Sequence, residues 1–149
     1  MLTDAEGESV DVMLDSLIPG CKNFYWREAL HLPSWGLHCF PVTIEHKHNI
    51  ELMAQKLELV REALSCPLKI TSWYRPNHYN KVVGGAYRSY HRLGLAVDFQ
   101  PQGVKIANAK TLVRSALADF GLRMEDNGKG RWIHLDMGKP GKSGRFFTP

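Results

Sequence analysis

Asp98 stands in the run LAVDF, residues 95–99, among apolar neighbours. His91 lies just upstream, and His134 sits in a second run, RWIHLDM, residues 131–137. An ionised carboxylate in apolar surroundings is costly unless something pairs with it. Side chains on a strand alternate faces, so Leu95, Val97 and Phe99 should face a core while Asp98 points away from it. By the same rule Ile133, Leu135 and Met137 face inward, and Trp132, His134 and Asp136 share the other face. His91 falls in a turn loosened by Gly94. Two histidines and one aspartate are a common ligand set for catalytic zinc, with water in the remaining place. A dication would account for Asp98. So would an arginine partner, with His91 and His134 as ordinary half-buried histidines, and spacing alone leaves both open.

The elements that must carry these residues read as a mixture of helix and strand. Ile50, Met53, Leu57, Val60 and Leu64 recur at helical spacing and predict an amphipathic helix that Pro67 stops. Asn49 is a plausible N-cap, with an earlier start also open. Leu68–Tyr74 reads as a strand ended by Arg75-Pro76, and Asn77–Val83 as a short helix broken by Gly84-Gly85. Leu95–Phe99 is the strand bearing Asp98. Leu112, Val113, Ala116, Leu117 and Phe120 mark the inner face of a second helix. Residues 122–126 and 131–137 predict two strands joined by a turn at Asn127-Gly128-Lys129-Gly130. A terminal hairpin among intermixed helices and strands favours an α+β domain over a doubly wound sheet. Upstream, residues 1–22 read as an N-terminal extension with a short helix at Val12–Leu17, and 23–149 as the domain proper. Residues 24–30 fit strand or helix, and Leu32–Val42 reads as loop.

The chain has 149 residues, enough for one domain with a real core, and carries a formal charge of +4. That mild excess fits an anionic polymer such as cell wall without requiring one. Nucleic-acid binding would rest only on this charge and a short basic tail, so no nucleic-acid partner is expected. No apolar run is long enough to span a membrane. The start, MLTDAEGESVDVML, lacks the basic and apolar regions of a secretory signal. Cys21, Cys39 and Cys66 are odd in number and form no C-x-x-C, so reduced thiols are expected. His46 and His48 read as exposed residues near a helix start, and His38 lacks metal partners at suitable spacing. His78 follows Arg75 closely enough to line a cleft. Trp73, Tyr74, Tyr79, Tyr87 and Tyr90 cluster around the motifs, and those outside the core would suit a groove for a glycan or peptide strand.

Ser89, His91, Gly94, Ala96 and Asp98 spell S-x-H-x-x-G-x-A-x-D. This resembles the signature of the zinc D-Ala-D-Ala carboxypeptidases and L-alanyl-D-glutamate endopeptidases, peptidoglycan peptidases of the Hedgehog/DD-peptidase fold. TSWYRPNHYN (Thr71–Asn80) resembles the family segment S-x-Y-R-x-x-x-x-N, Gly84-Gly85-Ala86 precedes the His motif as it does there, and WIHLDMG (Trp132–Gly138) resembles the closing W-x-H-x-D segment. The resemblance covers roughly residues 45–138. It implies a small antiparallel sheet packed on helices and one zinc ion held by His91, Asp98 and His134. It further implies that Arg75 binds a substrate carboxylate or stabilises the oxyanion, with Ser89 and Tyr74 beside it in the site. The implied substrate is the stem peptide of peptidoglycan, cut within the stem or at its end. A phage virion component, or a lysin released to the cell wall, would fit the lack of a signal; a cytoplasmic protein would too.

One departure stands out. Many family members carry an acid three positions before the last zinc histidine, as the base that takes a proton from water. Here that position is Arg131, which cannot act as a base at neutral pH. Asp136 is the favoured replacement, as base or as the partner of a ligand, with Glu125 and Asp126 behind it. The alternative is a catalytically weak, zinc-binding structural or cell-wall-binding module.

Overall fold

A computed structural model describes residues 7–149. Its spine is helix α2, Ile44–Leu64, whose Ile50, Met53, Ala54, Leu57 and Val60 are fully buried. The 3-4 spacing of these residues puts them on one stripe. The helix starts earlier than Asn49, at a Thr43 cap whose hydroxyl accepts the His46 N–H at 3.0 Å. Its first turn is polar, so no apolar period marked it. Asn49 instead donates its side-chain amide to the Leu93 carbonyl at 2.9 Å, tying α2 to the segment that carries His91.

Before α2 come helix α1 (Trp26–Leu30) and a two-residue hairpin, β1 (His31–Leu32) with β2 (Leu37–His38). After it follow β3 (Leu68–Ser72), α3 (Asn77–Val82), a 3-10 turn at Tyr90–Leu93 and β4 (Ala96–Pro101). The second amphipathic helix is divided at Ala116 into α4 (Ile106–Ser115) and α5 (Leu117–Phe120). Strands β5 (Arg123–Glu125), β6 (Ile133–Asp136) and β7 (Phe146–Phe147) complete the chain.

Five strands form one sheet in the order β3-β4-β6-β5-β7, antiparallel except for the β5–β7 pair. The terminal hairpin and the α+β class are therefore as read from the sequence. The rows Ile70–Phe99–Ile133 and Val97–Leu135–Met124 face inward, where they join the buried side chains of α2, α4 and α5 in one core. The opposite face carries the polar residues of β4 and β6.

The N-terminal segment differs from expectation. No helix forms at Val12–Leu17; Ser16 closes a turn onto Met13, and Leu17 bridges Tyr25. Val10, Ile18 and Cys21 are buried. The first six residues of that extension lie outside the described ones. All three cysteines are free thiols, and burial pushes Cys21 and Cys39 up to about 11. No helix among the described residues is long and apolar enough to cross a membrane.

Candidate active site

The polar face of the sheet is built from register. Ser72 lies opposite Asp98, and Asp98 lies opposite His134. One step along, Ala96 faces Asp136, which faces Arg123. A bulge between Ile70 and Ser72 brings Ser72 onto this side. His91 arrives from the 3-10 turn, capped by Ser89, whose hydroxyl accepts the His91 backbone N–H at 3.1 Å. Gly94 ends that turn at φ +79°, and a Cβ there would stand 2.7 Å from Ile50 Cγ1. Both the backbone angle and the space call for glycine.

One candidate ligand atom each from His91, Asp98 and His134 lie within 4.8 Å of one another. His91 Nε2 stands 3.3 Å from Asp98 Oδ2, and His134 Nδ1 stands 2.8 Å from Asp98 Oδ1. Donors bound to one tetrahedral zinc at about 2.0–2.1 Å would stand roughly 3.3 Å apart, so only a small adjustment separates this cluster from a metal site. The far nitrogens of both rings are already occupied. His91 Nδ1 donates to the Trp73 carbonyl at 2.7 Å, and His134 Nε2 donates to Asp136 Oδ2 at 2.9 Å. Such outward hydrogen bonds fix the tautomer that turns a lone pair toward a metal. The residues present fit a zinc ion by donor type, number and support.

Electrostatics point the same way. Burial would raise the Asp98 carboxyl, but the His134 hydrogen bond and the neighbouring His91 ring overrule it and hold it well below the usual carboxylate range. Burial would lower His134, yet its hydrogen bonds to Asp136 and Asp98 push it up to about 9. In His91 burial prevails over the Asp98 contact and lowers the ring. The metal-free cluster is thus held together by a proton on His134 Nδ1, the position a cation would take.

The cluster lies in a cleft of about 420 Å³ whose lining includes Arg75, Ser89, Glu125, Trp132 and Phe147. Arg75 Nε donates to Ser72 Oγ at 2.8 Å, while its Nη2 stands 3.5 Å from Asp98. The guanidinium is therefore braced, with its tip beside the donor cluster. Ser89 both caps the His91 turn and lines the cleft.

Asp136 is placed differently from a free base. It is 2% exposed and accepts from Arg123 Nε at 2.7 Å, Arg123 Nη2 at 3.0 Å and the Gly138 N–H at 2.9 Å, besides His134. Tyr74 is no substrate contact: it is fully buried, and its hydroxyl accepts the Val42 N–H at 3.0 Å and pairs with His46 Nδ1 at 2.8 Å. His78 stacks against Trp35 rather than lining the cleft. Asp126 and Arg131 are exposed and lie outside the lining.

Two residues of the site escaped the sequence reading. Arg123 grips Asp136, and its guanidinium lies 4.0 Å from the Phe147 ring centre. Phe147 also meets the His134 ring edge-on at 6.1 Å. Only the pairing of β5 with β6 and β7 brings these together.

The Peptidase M15 family model matches residues 35–136, a span that contains every residue of the cluster. Comparison with curated proteins and with solved structures gave no match.

Proposed function

Since this chain belongs to the Peptidase M15 family, a family of metallopeptidases, we propose that it is a zinc-dependent hydrolase of amide bonds in the peptidoglycan stem peptide. The observation that carries this reading is the three-donor cluster of His91, Asp98 and His134 in a cleft beside a braced arginine. When bound, zinc would supply a Lewis acid and lower the pKa of a water toward about 7.

The chain's own residues supply the rest. Asp98 and His91 offer oxygen and nitrogen donors from a strand and a capped turn, so their positions vary little. Asp136 orients the His134 ring through Nε2 and raises its basicity. Arg75 presents a fixed cation to the carbonyl oxygen as negative charge develops there, or to a terminal carboxylate of the substrate. Trp132 and Phe147 give the cleft apolar walls on which a peptide or glycan strand can rest. A cut within the stem and a cut at its end both suit this arrangement, as does action as a lysin or as part of a phage particle.

The test is digestion of purified muropeptides, read by mass spectrometry, with zinc and after chelation. A chelator-sensitive product is expected, and its mass names the bond. Absence of any product, with one zinc bound per chain, would overturn the hydrolase and leave a zinc-stabilised wall-binding module.

A further inference from the structure

With Arg131 exposed and outside the cleft, the position that carries an acid in many relatives offers no proton acceptor. Three side-chain carboxylates line the cleft among the described residues: Asp98, Asp136 and Glu125. Asp98 belongs to the donor cluster. Asp136 accepts four hydrogen bonds, two on each oxygen. A carboxylate has about four lone-pair sites, so none remains to receive a proton from water. Glu125 accepts no hydrogen bond and joins no ion pair among the described residues.

Register places Glu125 in line with the cluster. β5 and β6 pair Arg123 with Asp136 and Met124 with Leu135. Continuing that register by one residue sets Glu125 opposite His134, on the same face as Arg123 by strand alternation. Asp98 is opposite His134 on the other side, and Phe147 is opposite Glu125. Ser72, Asp98, His134, Glu125 and Phe147 thus form one row across all five strands. Adjacent strands are spaced about 4.8 Å apart, so a glutamate next to His134 can reach a small molecule held over the cluster.

We propose that Glu125 is the general base of the reaction, taking over from a neighbouring strand the role that Arg131 cannot fill; this rests on the hydrolase reading above. The Glu125 carboxylate takes one proton from the attacking water as its oxygen bonds to the scissile carbonyl carbon. The carbon–nitrogen bond then breaks, and the same proton passes from Glu125 to the leaving nitrogen. Glu125 returns to a carboxylate, and the products are a carboxylic acid and an amine.

The test is Glu125→Gln, which keeps size and removes the proton acceptor. Glu125 is half-buried at the end of a short strand, and a folded protein binding one zinc per chain is expected. On muropeptides kcat should fall by roughly 100-fold or more, the usual scale of general-base catalysis, with little change in KM. A second readout needs no turnover. Acetohydroxamic acid gives up a proton when it chelates zinc, so its calorimetric affinity for the zinc-loaded variant should fall about tenfold or more, as the loss of one charge-assisted hydrogen bond would produce. Wild-type turnover in the variant, or unchanged acetohydroxamate affinity, would overturn the proposal. If the wild type cleaves nothing, the hydrolase reading fails separately, and the acetohydroxamate comparison still decides whether Glu125 receives the proton.

Discussion

Asp136 shows how one buried carboxylate can serve a site without touching substrate. Its oxygens are divided between Arg123, His134 and the Gly138 N–H, and those contacts lower its pKa against the opposing effect of burial. The arginine is fixed in turn by the Phe147 ring. Asp136→Asn would place an amide where two donors, from Arg123 and His134, now converge. We expect zinc affinity to fall about 10–100-fold, the usual cost of losing a partner behind a metal ligand. Competition with a chromogenic chelator measures this, and an unchanged affinity would show that Asp136 does not orient His134. Alternation marked Asp98 and His134 in sequence as polar residues out of phase with an apolar run, and the motif resemblance joined His91 to them as a candidate ligand set. Arg123 was not legible there, since it reaches Asp136 only through strand pairing. Tyr74 was misplaced for a related reason. Beyond the bulge at Ile70–Ser72 the chain leaves strand geometry, and Trp73 and Tyr74 are both buried instead of alternating.

Among the elements, the turn between His91 and β4 has the least freedom. It must deliver His91 to the cluster, reverse the chain and lie against α2. Asn49 holds the Leu93 carbonyl, Trp73 Nε1 donates to the Gly94 carbonyl at 3.2 Å, and the Arg75 N–H reaches the His91 carbonyl at 2.9 Å. Gly94→Ala would impose a left-handed angle on an L side chain, costing about 1–2 kcal/mol. It would also press Cβ against Ile50 Cγ1 and within 3.2 Å of the His46 carbonyl oxygen, an overpacking that adds about 1–3 kcal/mol. Denaturant midpoints should report a loss of at least about 2 kcal/mol from these two costs together, with weaker zinc binding alongside. A variant as stable as the parent would mean that α2 yields more readily than its packing suggests. The long periodic elements were readable in advance: α2 by its stripe, β4 and β6 by alternation, the terminal hairpin by its Asn-Gly turn. Four of the shorter elements were not. β1, β2 and β7 are too short to show a period, and α1 lies in a segment whose aromatics suit either state.

For the molecule as a whole, the proposed zinc would compete with a proton for one position, and that competition would set stability against pH. In the metal-free protein His134 is raised to about 9, whereas an unfolded histidine titrates near about 6.5. A group raised on folding contributes stability that is complete below the unfolded value and is lost as pH climbs through the folded one. His91 and His46 are lowered by burial, so their contributions change at and below about pH 6.5. Cys21 and Cys39 are raised toward about 11, so their contributions begin to change only at the upper edge of the window, near the unfolded thiol value of about 8.5. Between pH 6.5 and 9, then, the folded metal-free chain holds a proton on His134 that the unfolded chain has released, and its melting temperature should fall steadily. On the proposed reading saturating zinc would replace that proton, so the zinc-loaded protein should melt higher and lose the slope across the same window. Thermal melts of chelated and zinc-loaded protein at several pH values measure both curves. A metal-free protein whose stability is flat from pH 6.5 to 9 would contradict the raised His134. Parallel slopes with and without zinc would mean that the metal binds somewhere other than His134.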